Sequence, residues 1–234
     1  MIYVTSDLHG ISPARFRQLL DQAGFSGRDD LFILGDVIDR GDHGIALLRY
    51  LTQMPNAQLI LGNHEAMMLS CSFLFQEVTE ESAEQLTPEN LAMMEAWIDN
   101  GGGPTIQAMN ALTKQDPDLA EGIWDYLRDA PLYDTLRVNG KTYILTHGGL
   151  GNFHPEKALE DYTPGELLWV RPDLSQRYFD RATVIFGHTP TQIYGPEYTG
   201  KALRTDTWIN IDTGAAAGGT PMLLRLGDEK EYYL

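Results

Sequence analysis

The amino-acid sequence predicts an α/β fold in which short buried strands alternate with helices. Six runs rich in apolar and β-branched residues end abruptly at Gly, Asp, Ser or His, and they cover residues 2–5, 31–34, 58–61, 143–146, 183–186 and 208–211. Runs that are apolar nearly throughout are typical of strands covered on both faces. Because helical patterns alternate with the first three runs, the chain is predicted to begin as a βαβαβ unit.

Two helices are predicted between these first strands. Ser12 suits an N-cap, and Pro13 suits the first turn of the helix that follows. Residues 44–51 place apolar side chains at helical spacing. Each helix can therefore cover the sheet with one apolar side.

The middle of the chain, from about residue 66 to residue 131, is predicted to be an inserted helical cap. Pro88 begins one helix, the glycine-rich stretch 101–104 breaks it, and Asp116 with Pro117 begins another. The cap is interpreted either as a lid or substrate wall over a functional site or as extra cover for the core. The sequence favours neither.

The last hundred residues are predicted to be rich in strands. Residues 136–143 form a hairpin, because Asn139 and Gly140 suit a type I′ turn. Further strands are predicted at 222–226 and 232–234. With 234 residues and 43% hydrophobic content, the sequence favours a single domain over residues 1–234.

Composition excludes several classes of partner. The formal net charge is −16, without a basic patch, which predicts that the chain binds neither nucleic acid nor a membrane surface. The single cysteine, Cys71, cannot form an internal disulfide and fits a reducing compartment. No signal-peptide pattern or membrane-spanning run is found, so a cytoplasmic location is predicted.

Polar residues of metal-ligand type follow the predicted strands. They are Asp7, His9, Asp36, Asn63, His147 and His188. Their oxygen and nitrogen atoms suit first-row divalent metals, and a carboxylate at Asp36 could place one oxygen on each of two ions. Such a pair of cations can clamp a phosphoryl oxygen and hold a hydroxide between them. The sequence therefore predicts a dinuclear metal site.

Four further residues are predicted to act beside the metals. His64 adjoins the ligand Asn63 and could serve as a general acid, and Asp39 could hold it protonated and oriented. Arg40 and Arg171 are predicted phosphate clamps, because a guanidinium can bind phosphate through two hydrogen bonds. Arg171 could also be an ordinary surface arginine ahead of a proline.

Four motifs resemble those of a known family. They are Gly-Asp-Val-Ile-Asp-Arg-Gly at 35–41, Gly-Asn-His-Glu at 62–65, His-Gly-Gly at 147–149 and Gly-His-Thr at 187–189. In this order they resemble the phosphoprotein phosphatases, the metal-dependent Ser/Thr phosphatases within the calcineurin-like metallophosphoesterases. The resemblance extends from Ser6 to about Gly219 and is greatest to short bacterial members.

The resemblance implies an αββα sandwich with an inserted helical cap. It assigns Asp7, His9 and Asp36 to one metal, and Asp36 with Asn63, His147 and His188 to the other. It supports His64 as general acid with Asp39 as its partner, and Arg40 with Arg171 as phosphate ligands. It also adds Asn63 as a phosphate ligand. The cofactors would be two divalent ions, manganese, iron, zinc or cobalt, with manganese expected to serve in vitro.

The implied activity is hydrolysis of phosphoserine or phosphothreonine in phosphorylated proteins or peptides, with phosphotyrosine as a further substrate. A symmetrical diadenosine tetraphosphate hydrolase, or another nucleotide or small-molecule phosphatase, is the alternative. Members of that hydrolase branch tend to lack the carboxylate found here at Asp39. A third hypothesis is a non-catalytic phosphoprotein-binding protein.

Overall fold

The computed structural model describes residues 1–76, 79 and 87–234. Two five-stranded sheets lie at its centre. The first has the order β10-β9-β1-β2-β3 and uses β1 (Ile2–Thr5), β2 (Asp30–Ile33), β3 (Ala57–Leu59), β9 (Met222–Arg225) and β10 (Lys230–Tyr233). The second has the order β4-β5-β6-β8-β7 and uses β4 (Tyr133–Val138), β5 (Lys141–Thr146), β6 (Ala182–Phe186), β7 (Leu203–Arg204) and β8 (Trp208–Asn210).

The predicted βαβαβ beginning is confirmed. Strands β1 and β2 are parallel, with Tyr3 opposite Leu31, and β2 and β3 are parallel, with Leu31 opposite Ala57. The crossover helices are α1 (Pro13–Ala23) and α2 (Gly44–Thr52). Ser12 caps α1, since its side chain accepts the backbone N–H of Arg15.

The two sheets pack face to face. Helices cover the outer face of the first sheet, and the outer face of the second packs against a short helix and loops that carry Leu150, Leu167 and Tyr178. Along β1, Val4 faces a core shared by both sheets, whereas Tyr3 faces the helices. The shared core joins Val4 and Leu224 of the first sheet to Leu145 and Ile185 of the second. A fully buried aliphatic side chain stabilises a fold by about 1.5–3 kcal/mol, so this interlayer core holds the sheets together. The predicted four-layer α/β arrangement is therefore confirmed.

The helices after β3 differ in detail from the prediction. They are α3 (Asn63–Ser70), α4 (Pro88–Asp99), α5 (Gly103–Gln115) and α6 (Pro117–Arg128). Helix α3 begins before the predicted start of the cap near residue 66. Helix α5 was not predicted, because Gly103 and Pro104 indicated a break; proline is tolerated in the first turn of a helix, where it lies here. Residues 77, 78 and 80–86 of the predicted cap lie outside the described residues.

The hairpin prediction is confirmed, with β4 and β5 antiparallel and both Asn139 and Gly140 at positive φ.

Two short elements were not predicted, strand β7 and helix α7 (Pro164–Leu168), and α7 leads into the loop that carries Arg171. In the described part of the chain, the helices are too short or too polar to cross a membrane.

Candidate metal centre

All six predicted ligand residues lie in one buried cluster at the carboxyl ends of the strands. Asp7 and His9 follow β1, Asp36 follows β2, and Asn63 is the first residue of α3. His147 follows β5 directly, and His188 follows β6. The exposed fraction of each of the six residues is at most 7%. Strand ends from both sheets thus meet at one place, as expected for the active edge of an α/β protein.

Asp36 lies between two groups of ligand atoms. Its Oδ2 atom is 3.7 Å from Nε2 of His9, which is itself 3.9 Å from Oδ1 of Asp7. Its Oδ1 atom is 3.4 Å from Nε2 of His147. One carboxylate oxygen therefore faces each group, which is the arrangement that a bridging ligand requires.

Asn63 completes the second group. Its Oδ1 atom is 2.7 Å from Nε2 of His147 and 2.9 Å from Nδ1 of His188. An oxygen and two ring nitrogens converge there together with Asp36. In the described residues, both Asp36-centred triads, one with His9 and His64 and one with His147 and His188, have ligand atoms within 4.8 Å of one another.

The protonation of His147 shows that a cation fits these atoms. Nδ1 of His147 lies 2.7 Å from the carbonyl oxygen of Leu34, so Nδ1 carries the proton and donates it. Burial lowers the pKa of His147, which keeps the ring neutral. The lone pair on Nε2 then faces oxygens of Asn63 and Asp36. Three hydrogen-bond acceptors in contact repel one another unless a cation lies between them, so the site suits a metal ion. A backbone carbonyl that orients the distal ring nitrogen is common for metal-binding histidines.

His9 follows the same pattern. Its Nδ1 atom lies 3.1 Å from the carbonyl oxygen of Ile38, and burial with nearby Arg40 holds its pKa well below the ordinary value. His188 is also kept neutral, because burial and neighbouring His147 lower its pKa to about 2. Three neutral imidazoles therefore face the cluster as metal ligands rather than as cations.

Crowded carboxylates also favour bound cations. Burial, and then the charge of Asp36, raises the pKa of Asp7 to about 6, and burial raises the pKa of Asp36 to about 6 as well. Asp212, which the sequence analysis did not select, is buried, and burial together with Asp7 holds its pKa well above the usual range. Positive charge placed among these groups would stabilise all three as carboxylates.

The loops that present these residues have an uncommon backbone conformation. Asp7, His9, Asp36 and His188 all have positive φ, at 53°, 40°, 55° and 64°. Residues with side chains pay about 1–2 kcal/mol for this left-handed conformation. Part of the cost is offset by hydrogen bonds between loops, such as that from the N–H of His9 to the carbonyl oxygen of Asp36 at 2.9 Å.

Two glycines allow the strand ends to approach each other. A Cβ atom at Gly187 would overlap the carboxylate of Asp7 and the hydroxyl of Ser6. A Cβ atom at Gly62 would overlap the backbone N and Oδ1 of Asp36. These positions therefore require glycine for steric reasons.

His64 differs from the ligand histidines because its ring is bound by the carboxylate of Asp39. Nδ1 of His64 lies 2.6 Å from Oδ2 of Asp39, and both side chains are buried. Burial alone would lower the pKa of His64, but the carboxylates of Asp36 and Asp39 outweigh it and raise the pKa above its usual value. A ring that tends to be protonated is a poor metal ligand and a suitable proton donor.

Both predicted clamps reach the cluster. Nη1 of Arg40 lies 3.0 Å from Nε2 of His9, and Nη2 of Arg40 lies 3.1 Å from Nε2 of His64. Nη1 of Arg171 lies 3.5 Å from the carbonyl oxygen of His188 and 3.4 Å from Oγ1 of Thr189. Two permanent cations thus border the site and could bind phosphate oxygens.

Three residues that bind the loop after β2 escaped the sequence analysis, as did Asp212. Glu65 is completely buried, and its carboxylate accepts the backbone N–H groups of Asp36, Val37, Ile38 and Gly62. Trp97 and Thr105 both bind the carboxylate of Asp39. Glu65 belongs to the Gly-Asn-His-Glu motif, which was a usable signal, whereas nothing in the sequence singles out Trp97 or Thr105.

Two cavities adjoin the cluster. One, of about 400 Å³, is lined by Met67, Met93, Asn100 and Trp169 among others; the ring of Trp169 lies 6.0 Å from that of His188. The other, of about 470 Å³, is lined by Arg171, Thr189, Ile193 and Tyr194 among others. Both walls are mainly apolar, and both have the size of ligand-binding clefts.

Comparison with known sequences identifies related proteins. The profile of a family described as "Calcineurin-like phosphoesterase" matches residues 1–210. A symmetrical bis(5'-nucleosyl)-tetraphosphatase of Nitrosospira multiformis is 26% identical over 270 residues, covering 99% of this chain and 94% of the relative. A protein of the same description from Vibrio cholerae is 26% identical over 271 residues, covering 99% of this chain and 96% of the relative.

Comparison with solved structures identifies the same fold. A candidate diadenosine tetraphosphatase has a TM-score of 0.65 at 18% identity, covering 100% of this chain and 92% of that one. A protein serine/threonine phosphatase from Saccharomyces cerevisiae has a TM-score of 0.56 at 18% identity, covering 100% of this chain and 78% of that one. At these identities the likeness concerns the fold alone.

Proposed function

The chain belongs to the calcineurin-like phosphoesterase family and is therefore a metallophosphoesterase, and from this premise we propose that it hydrolyses symmetrical dinucleoside tetraphosphates. This was the alternative in the sequence analysis, where a protein phosphatase came first. The relatives compared over nearly the whole chain are described as symmetrical tetraphosphatases, at 26% identity. They support the dinucleotide over the phosphoprotein as substrate.

The observation that carries the substrate proposal is the pairing of each arginine with a cavity. The backbone carbonyl of Asn100, which lines the cavity with Trp169, lies 3.5 Å from Nε of Arg40. Arg171 itself lines the second cavity. A dinucleotide carries a polyphosphate between two bases, so it needs cationic groups beside the reacting phosphorus and an apolar surface for each base.

The residues of the site would have separate roles in metal binding, phosphate binding and proton transfer. Asp7, His9 and Asp36 would hold one divalent ion, and Asp36, Asn63, His147 and His188 the other. Two such ions, when bound, supply Lewis acidity toward phosphoryl oxygens and lower the pKa of water. Arg40 and Arg171 would bind equatorial phosphate oxygens, with Asn63 close enough to assist. His64 would donate a proton to the leaving oxygen through Nε2, because Nδ1 is bound to Asp39.

The second candidate is a phosphoprotein phosphatase, and the His64–Asp39 pair favours it. A serine alkoxide is a poor leaving group that needs a proton, whereas a nucleoside diphosphate leaves readily without one. An orienting carboxylate on the acid is therefore of more use with a phosphoserine substrate. For either candidate we propose a cytoplasmic enzyme that acts on neither long nucleic acid nor membranes, in keeping with the net charge of −16.

Product analysis with the metal-reconstituted protein tests the proposal. Diadenosine tetraphosphate should yield ADP alone, since symmetrical cleavage breaks the central anhydride bond. Inorganic phosphate released from a phosphoserine peptide at a kcat/KM at least tenfold higher would favour the second candidate. Absence of turnover on both, with metal bound, would support the non-catalytic hypothesis.

A further inference from the structure

The helices α4 and α5 bind one buried carboxylate, that of Asp39, in the loop that follows β2. Nε1 of Trp97, on α4, donates to Oδ2 of Asp39 at 2.7 Å. Oγ1 of Thr105, on α5, donates to Oδ1 of Asp39 at 2.6 Å. Both oxygens of Asp39 are thus bound from the insertion, while Oδ2 also accepts from His64.

Thr105 fixes the backbone of this loop as well as its side chain. Its hydroxyl accepts the backbone N–H of Asp39 at 3.0 Å while it donates to the carboxylate of the same residue. The backbone N–H of Arg40 donates to the carbonyl oxygen of Gly101, between the two helices, at 2.9 Å. Asp39 and Arg40 have positive φ, 67° and 66°, so these bonds hold a conformation that the chain would otherwise seldom adopt.

The donors also determine which nitrogen of His64 faces the substrate. A carboxylate accepts hydrogen bonds near its own plane, so Trp97 and Thr105 fix the plane of Asp39 and the direction of Oδ2. Oδ2 in turn fixes the proton of His64 on Nδ1. Nε2 is then directed toward the cluster, 3.8 Å from Oδ2 of Asp36 and 3.1 Å from Nη2 of Arg40.

We propose that Trp97 and Thr105 are positioning residues for the proton donor, and that the helical insertion serves to orient the Asp39–His64 pair. The inference rests on the proposed function as a metal-dependent phosphohydrolase and adds residues to its proton donor. Trp97 and Thr105 are 0% and 2% exposed, which removes competing water from these hydrogen bonds. The geometry assigns the insertion a catalytic support that is distinct from a lid and from plain core cover.

Substitutions that each remove one hydrogen-bond donor test the proposal. Thr105→Val removes the hydroxyl at nearly constant volume, Thr105→Ser keeps it, and Trp97→Phe removes the N–H group. Matched controls are Thr113→Val, which lies on α5 with its hydroxyl bound to Met109, and Trp124→Phe, which lies in the same core. Circular dichroism and thermal melting would confirm that each variant is folded.

The first readout does not depend on activity. In the metal-free protein, the Nδ1 proton of His64 shared with Asp39 should give a low-field proton NMR resonance that is missing in His64→Asn. We expect Thr105→Val and Trp97→Phe to shift this resonance upfield or broaden it, and Thr105→Ser and both controls to retain it. An unchanged resonance in the Thr105→Val, Trp97→Phe double variant would overturn the proposal.

The second readout is the dependence on the leaving group. Thr105→Val should lower kcat on phosphoserine by about 10- to 100-fold and change kcat on p-nitrophenyl phosphate by less than about threefold. KM should change little on either ester. Equal losses on both esters would also contradict the proposal, because they would indicate general damage. If the wild-type protein does not hydrolyse the dinucleotide, the proposed function fails, while the NMR experiment still decides on the positioning role.

Discussion

Oε2 of Glu65 accepts the backbone N–H of Asp36 at 2.8 Å. The same carboxylate accepts the N–H groups of Val37, Ile38 and Gly62, so the loop that carries the bridging residue is wrapped around one buried acid. An amide at this position would direct an NH2 group at backbone donors. Glu65→Gln should therefore lower the free energy of unfolding by about 2–4 kcal/mol, measured with urea. Glu89→Gln, at an exposed position of α4, is the control, and an equal effect of both changes would contradict this role.

Removing one ligand of the second group should leave a single metal ion. His188 lies with Nδ1 2.9 Å from Oδ1 of Asn63, and His188→Ala leaves that group with three donors. We expect the metal content, measured by elemental analysis, to fall from about two ions per chain toward about one. We also expect kcat to fall by more than about 100-fold. His154→Ala changes an exposed histidine and should keep both values. A wild-type protein that takes up no ion would refute the metal centre itself.

His64→Asn should separate substrates by their need for a proton. General acid catalysis contributes about 10²–10⁴-fold when the leaving group is a poor one. We expect such a loss in kcat on phosphoserine, and a loss of less than about tenfold on p-nitrophenyl phosphate or on the dinucleotide. Steady-state kinetics on the three substrates makes the comparison. Equal losses on all of them would remove His64 from the role of acid.

Protonation of Glu166 at acid pH should destabilise the loop before Arg171. Its carboxylate accepts from Nζ of Lys157 at 2.8 Å, from the backbone N–H of Thr163 at 2.9 Å and from Nδ2 of Asn152 at 2.9 Å. These bonds, that to Lys157 first, lower the pKa of Glu166 from 4.5 to about 2. Because the folded state has the lower pKa, the ionised group stabilises the fold above pH 4.5, and this contribution is lost as the pH falls toward 2.

Urea unfolding of Glu166→Gln at several pH values tests this sign. The variant should be less stable than the wild type at pH 7, and the difference should shrink as the pH falls below about 4.5. A difference that stays constant between pH 7 and about pH 3 would contradict the assignment. Glu160→Gln, at an exposed site nearby, is the control variant.

The six ligand residues could be selected from sequence because their positions follow from topology. Parallel neighbours bring their carboxyl ends to one edge of a sheet, so Asp7 and Asp36 lie together in the first sheet, and His147 and His188 in the second. The two pairs meet because the sheets pack face to face. Trp97 and Thr105 could not be found in this way. They contact Asp39 across 58 and 66 residues of sequence, and buried Trp and Thr at helical spacing look like ordinary core. The glycines and the proline at 101–104 likewise indicated a break where α5 has its first turn.

The positive φ values of Asp7, His9, Asp36 and His188 place backbone strain at residues that are predicted to bind metal. Glycine at any of these positions would relax the backbone while it abolished a ligand. The backbone strain at these four positions therefore accompanies the placement of the ligand side chains and cannot be relieved without losing one of them.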